Sequence, residues 1–152
     1  MLQLFKKVFD KTGELISPEE GVDRNKKLEI ATCVILLEAA TADSEFSEEE
    51  LQKIIDILKT RFQMTESSVN ELIETSKGER EDHPGLWHFT SLINDNLSRD
   101  EKYELMEMIW QIIYSDKRLD TFENHVAHNL RRLLHIDHSK FIELKLKVKN
   151  SI

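Results

Sequence analysis

The sequence predicts an all-α fold, a compact bundle of about seven to eight helices with an internal two-fold helix–loop–helix pseudo-repeat. Three observations favour this class. Only four glycines and two prolines occur in the 152 residues, and they cluster at 13–21 and 78–85. The stretches 22–77 and 86–152 contain neither, and they are rich in residues that favour helices. No stretch alternates apolar and polar residues over the length of a convincing strand.

The composition indicates one acidic, soluble domain. The chain has 21 Lys and Arg against 29 Asp and Glu, a formal net charge of −8. This balance argues against a nucleic-acid partner, because phosphate neutralisation needs a basic face. No apolar run approaches the roughly 18 residues of a membrane span, and residues 1–9 lack the features of a signal peptide. A single cysteine, Cys33, excludes a disulfide framework within the chain. We therefore expect a cytoplasmic protein, with a place at the periphery of the inner membrane as the alternative.

The first part of the chain, 1–24, is predicted to form an amphipathic helix and a linker ahead of a helical domain over 25–152. The segment from Met1 to Lys11 has apolar residues at helical spacing beside three lysines. We interpret it as a helix docked on the domain; the alternative is weak contact with a partner or a membrane surface. Residues 11–25 are predicted to be a turn-rich linker with one capped turn at 17–20, which Gly21 ends.

In the first half of the domain, 28–42 is the most apolar helix candidate. It is apolar on nearly all sides, which places it at the centre of the fold and makes Cys33 a buried small hydrophobe. A capping box formed by Ser47 and Glu50 begins an amphipathic helix over 47–62. A shorter helix follows over 65–76. The charged, glycine-containing stretch 77–82 is predicted to be a connection.

In the second half, Pro84 precedes a predicted helix over 85–97. A capping box formed by Ser98 and Glu101 begins a heavily apolar helix that runs to about residue 115. Asp120 is the predicted N-cap of the next helix, and the last helix spans 137–149. The large aromatic residues of this half are predicted core anchors: Trp87, Phe89, Trp110 and Tyr114.

Two acidic segments of the chain echo each other. In each, an apolar helix ends at an Asp, an N-cap residue follows, and a Glu comes seven positions after the Asp. The matched residues, each pair 73 positions apart, are Asp43 and Asp116, Ser47 and Asp120, and Glu50 and Glu123. This repeat predicts that helices 28–42 and 101–115 pack together. Packing about a pseudo-two-fold axis would bring the two acidic loops close to each other.

The repeated acids have two interpretations. Helix capping explains Ser47, Glu50, Asp120 and Glu123, because N-cap side chains and first-turn acids satisfy free backbone N–H groups. Capping explains Asp43 and Asp116 less well, since a negative charge at the end of a helix is mildly unfavourable.

The second interpretation is a metal site in the paired loops. Four carboxylates would supply hard oxygen ligands suited to Ca²⁺, Mg²⁺ or Mn²⁺, namely Asp43, Glu50, Asp116 and Glu123. Neither loop is an EF-hand, because the Gly and Glu that this motif requires are missing from both.

The sequence gives little support for other kinds of functional site. The six histidines are interpreted as residues of helix surfaces and interfaces, because no HExxH motif and no cysteine pair accompanies them. The chain has no P-loop, GxGxxG or GxSxG motif. Cys33 is expected to be inert because it lies in a buried helix. We therefore expect a protein that is not an enzyme.

The pair "AATADSEFSEEE" and "IIYSDKRLDTFE" resembles the duplicated acidic signature of TerB-like domains, which are associated with tellurite resistance in bacteria. The segments "LWHFTSLIN", "MEMIW" and "LRRLLHI" resemble an uncharacterised stand-alone subfamily of these proteins. The resemblance covers about 28–149. It implies an all-helical domain, a divalent-metal site and an association with stress-response and membrane-linked systems.

The residues that carry over to the implied metal site are Asp43, Glu50, Asp116 and Glu123, with Asp120 as a further ligand. One departure concerns the family's Gly after each Asp, which would permit positive φ. Ser44 occupies this position in the first loop. Lys117 occupies it in the second loop, where it places a positive charge beside the implied ligands.

We expect a non-catalytic binding or scaffold module that presents an acidic surface, holding a divalent cation, to another protein. The alternative is a purely structural interaction domain whose acidic loops are helix caps and bind no metal. Assembly into a homo-oligomer is left open. The charge is uneven along the chain, because 38–50 has six acids and no Lys or Arg, whereas 131–149 has six basic residues against two acids.

Overall fold

The computed structural model describes residues 18–40, 48–115 and 121–151, and the side chains of 25–40, 48–115 and 125–151. These ranges form seven α-helices and contain no strand, which confirms the all-α prediction. The helices are α1 (Pro18–Ala40), α2 (Glu48–Arg61), α3 (Glu66–Asp82), α4 (Trp87–Asn96), α5 (Arg99–Ser115), α6 (Thr121–Leu133) and α7 (His138–Asn150). None of the described helices is both long enough and apolar enough to cross a membrane.

Helices α1 and α5 form the centre of the fold. α1 packs against α2, α3, α4, α5 and α6, and α5 also packs against α2, α6 and α7. Residues 31–37 of α1 are all buried, as expected for a helix apolar on every side. The predicted contact between the two central helices is therefore confirmed. α2 and α6 begin 73 residues apart, at 48 and 121, but their relation by a two-fold axis stays a prediction.

The beginning of α1 differs from the prediction. The helix begins at Pro18 and runs through Gly21, so the predicted end of the turn at Gly21 and the linker over 18–25 are wrong. Pro is favoured at the first helical position, and an internal Gly costs only about 1 kcal/mol, which a long helix absorbs. The helix also crosses the boundary that we predicted at 24/25. The amphipathic segment 1–11 lies outside the described residues.

The end of α3 also differs, because the predicted connection 77–82 is helical. Gly78 lies within this helix, with open space around its Cα. The helix ends where Pro84 disfavours a helical conformation for the residue before it. The His83 N–H still donates to the Glu79 carbonyl at 3.1 Å. The Arg80 guanidinium donates to the carbonyls of His83 and Pro84, which closes this end of the helix.

The capping box at the start of α5 is confirmed. The Ser98 N–H donates to Glu101 Oε1 at 2.6 Å, and the Glu101 N–H donates to Ser98 Oγ at 3.2 Å. The Glu101 side chain is buried in this role.

Replacing Ser98 with Ala is therefore expected to lower the free energy of unfolding by about 1 kcal/mol, because it removes an N-cap acceptor. Urea unfolding monitored by circular dichroism measures the change. Ser67→Ala, at an exposed site in the first turn of α3, is the matched control and should change stability by less than about 0.5 kcal/mol. Equal effects of the two substitutions would contradict the capping role of Ser98.

The aromatic residues do not all lie in the core. Trp110 and Phe89 are buried, as predicted, and Tyr114 is partly buried against the core. Trp87 is 73% exposed, so its prediction as a core anchor is wrong. α4 begins at Trp87 itself, and its buried side is formed by Phe89, Thr90 and Ile93 instead.

Candidate acidic site

The structure describes one of the five predicted metal ligands in full. Asp43, Asp116 and Asp120 lie outside the described residues. Glu123 lies in the first turn of α6, and its side chain is also outside them. Glu50 is the third residue of α2, and its side chain is fully buried. Predictions about the other four ligands therefore stay predictions.

The flanks of the two acidic segments meet in space. A surface pocket of about 480 Å³ is lined by residues of α2 and by the last residue of α5: Glu48, Glu49, Gln52, Lys53, Asp56 and Ser115. Glu48 directly follows segment 41–47, and Ser115 directly precedes segment 116–120. One end of each acidic segment is thus attached at the same pocket.

The described lining of the pocket is negatively charged. Glu48, Glu49 and Asp56 supply three carboxylates, and Lys53 supplies one ammonium group. The N-terminal end of α2 carries a partial positive charge that favours first-turn acids, which explains why Glu48, Glu49 and Glu50 are tolerated together. The Gln52 side-chain amide donates to Asp56 Oδ1 at 2.9 Å, which orients that carboxylate.

Sequence reasoning missed Asp56 and the part played by Glu48 and Glu49. The signal was present, because 48, 52 and 56 recur at four-residue spacing and so share one side of a helix. The capping-box interpretation drew attention to Glu50 alone.

The Glu50 carboxylate does not line the pocket, but it is an oxygen ligand of the kind that Ca²⁺, Mg²⁺ and Mn²⁺ require. Burial alone does not distinguish a ligand from a cap, because Glu101 is also buried while it serves as a capping residue. Among the described residues, no three His, Cys, Asp or Glu side chains form a group that could hold a metal ion.

Cys33 is not suited to act as a nucleophile. Burial raises the pKa of its thiol to about 11, and the nearby Ser76 hydroxyl and Lys77 ammonium oppose that rise only in part. A thiol reacts as the thiolate, which is scarce near neutral pH at such a pKa. The buried position of Cys33 matches the sequence prediction.

A comparison with models of protein families shows to which family the chain belongs. A family model described as "Tellurite resistance protein TerB" matches residues 29–146. The chain belongs to the TerB family. The match spans most of the chain and includes α2 and α5, whose ends line the acidic pocket. Comparisons of this TerB-family chain with curated proteins and with solved structures give no significant match.

Proposed function

We propose that this TerB-family protein is a non-catalytic binding module whose two acidic segments hold a divalent cation and present it to a partner protein. The observation that carries the proposal is the acidic pocket in which Glu48 and Ser115 bring the attachment points of both segments together. The ligands would be Asp43, Glu50, Asp116 and Glu123, with Asp120 as a further oxygen donor. Bound there, the cation would neutralise clustered carboxylates and join the two halves of the chain.

The competing proposal is a structural interaction domain whose acidic segments only cap helices. The capping box of Ser98 and Glu101 favours it, because Glu50 occupies the equivalent third position of α2. The two proposals differ in what Glu50→Gln should do. Gln can replace Glu in a capping box but lacks the negative charge that a divalent ion needs.

Addition of Ca²⁺, Mg²⁺ or Mn²⁺ is expected to raise the melting temperature of the full chain. A ligand that binds only the folded state at about one hundred times its Kd adds roughly 2.7 kcal/mol of stability. Glu50→Gln, and separately the double variant Asp43→Asn/Asp116→Asn, should lose this gain while remaining folded without metal. Differential scanning calorimetry with each ion, and with Zn²⁺ for comparison, measures it.

Glu101→Gln is the matched control, because it makes the same change in a capping box remote in sequence from the acidic segments. It should keep the full response to metal. If no ion changes the melting temperature of the wild-type chain, the metal proposal is wrong and the capping proposal stands.

The link to tellurite or metal stress comes from the family relationship. We propose that the cation-bound form is the active one in such a response. Expression of the wild-type chain in a tellurite-sensitive bacterium should raise the tolerated tellurite concentration, whereas Asp43→Asn/Asp116→Asn should not. Equal tolerance with both chains would contradict the dependence on the acidic segments.

A further inference from the structure

A second charged region lies between α6 and α7, and its sign is opposite to that of the acidic pocket. Five basic side chains form what we call the basic cluster: His125, His128, Arg131, His138 and Lys145. Both helices pack against α5, and over their described parts the two backbones approach each other little. The ring of Phe141, in the first turn of α7, is buried and lies against the His128 ring of α6.

The geometry around Phe141 defines the cluster. The His128 and His138 rings lie 4.8 Å and 6.0 Å from the Phe141 ring, centroid to centroid. Arg131 Cζ lies 5.8 Å from the same centroid. The two imidazoles are 6.2 Å apart and nearly parallel, with 17° between their planes. Three cation-forming groups thus surround a single apolar ring.

The electrostatics of His128 show how strongly the basic groups act on one another. Burial lowers its pKa, and the charges of Arg131, His138, Lys145 and His125 lower it further. The charged groups that lower this pKa among the described residues are therefore all basic. A compact anion placed there would relieve the repulsion and raise the pKa of His128.

Three described carboxylates of the surrounding elements are engaged elsewhere. On α5, Glu107 pairs with Lys147 at 3.0 Å and with Arg61 at 3.5 Å. On α7, Glu143 pairs with Lys140 at 2.6 Å.

Asp137, which precedes α7, accepts a hydrogen bond from the Tyr103 hydroxyl at 2.7 Å and caps α7 through the Lys140 N–H. Its carboxylate is therefore committed to the helix start and to α5.

We propose that the basic cluster binds a phosphate group between α6 and α7, with His128, His138 and Lys145 as its donors. Histidinium, ammonium and guanidinium groups form charge-assisted hydrogen bonds with phosphate oxygens. A compact oxyanion suits this place better than a long polyanion, because the chain as a whole carries a net charge of −8 and would repel an extended one. Free phosphate and the headgroup of an anionic lipid offer the same chemistry.

Titration of the full chain with inorganic phosphate, followed by NMR of the histidine rings, tests the proposal. The His128 and His138 resonances should shift saturably, and sodium chloride at equal ionic strength should not reproduce the shifts. Lys145→Gln should weaken the affinity about tenfold, since it removes one charge-assisted contact. Lys77→Gln is the matched control: it makes the same charge change on α3, which packs against α1 and α2, and should keep the affinity.

The dependence of anion affinity on pH distinguishes binding by histidine donors from a general attraction of the anion to positive charge. Sulfate is the probe here because its charge stays constant while the histidines titrate. Its affinity should fall as the pH rises from about 5 to about 7, because the pKa of His128 lies below the ordinary histidine value of about 6.5. His128→Gln should remove most of this dependence.

Vesicles distinguish the source of the phosphate. A lipid headgroup is the ligand if the chain binds phosphatidic acid vesicles but not phosphatidylcholine vesicles, if Lys145→Gln weakens this binding, and if free phosphate gives no response. A response to free phosphate that Lys145→Gln weakens identifies a soluble ligand. The proposal would be overturned if the chain responds neither to free phosphate nor to phosphatidic acid vesicles. It would also be overturned if Lys145→Gln and Lys77→Gln weaken binding equally.

Discussion

Replacing Trp110 with Ala is expected to lower the free energy of unfolding by about 3–5 kcal/mol. Trp110 lies on α5 with no exposed surface. Its ring lies 5.0 Å from the Phe141 ring, centroid to centroid, and 5.9 Å from the Tyr114 ring. Its Nε1 donates to the Phe141 carbonyl at 3.2 Å, so one side chain connects α5 with the first turn of α7. Ala would leave a cavity and remove the buried hydrogen bond to the Phe141 carbonyl at once.

The second tryptophan provides the control. Trp87 is 73% exposed, so Trp87→Ala should change stability by less than about 0.5 kcal/mol. Urea unfolding monitored by far-ultraviolet circular dichroism measures both variants without relying on tryptophan emission. In the Trp87→Phe variant, fluorescence then reports on Trp110 alone and should be blue-shifted until the chain unfolds. A large loss of stability in Trp87→Ala would contradict the exposed position.

The second large effect concerns Cys33 and alkaline pH. Burial raises the pKa of the Cys33 thiol from 9.0 to about 11. Below pH 9 the thiol is protonated in both the folded and the unfolded chain, so it does not make stability depend on pH. Between 9 and 11 the unfolded chain loses the proton while the folded chain keeps it, so stability falls as the pH rises. The total loss approaches roughly 2–3 kcal/mol, about 1.4 kcal/mol for each pH unit.

Cys33→Ala isolates this contribution, because it removes the thiol and leaves every other alkaline titration in place. The free energies of unfolding of the wild type and the variant are compared at pH 8 and at pH 10. The advantage of the wild type should shrink by about 1 kcal/mol over this interval. Parallel losses in the two proteins would show that Cys33 titrates normally in the folded state.

Local signals were sufficient to predict most of the helices. The capping box of Ser98 and Glu101 marks a helix start that the structure has at the same place. The last helix, predicted over 137–149, corresponds to α7, which Asp137 caps. The apolar pattern over 28–42, which covers nearly all sides of the helix, predicted the central helix. Each of these features depends on residues within one or two turns of each other, which a single sequence displays directly.

The features that the sequence did not predict depend on contacts between residues that are distant along the chain. Whether Trp87 faces the core depends on where α4 begins and on which side of it packs against α1. Gly21 and Gly78 are weak helix formers, but the flanking turns continue the helix through them. For the candidate site, the repeat indicated which residues matter. It could not show that Glu48 and Ser115 line one pocket, because that proximity arises from the packing of α2 against α5.

The position of α5 between the two charged regions has an electrical consequence. Its last residue, Ser115, lines the acidic pocket, and Lys145 of the basic cluster lies over the ring of Trp110, 5.5 Å from its centroid. Five residues of helix rise only about 7.5 Å, so positive and negative poles lie at a short, fixed separation on a rigid axis. The two described regions therefore form a charge dipole along α5, and a charged surface nearby would attract one region and repel the other.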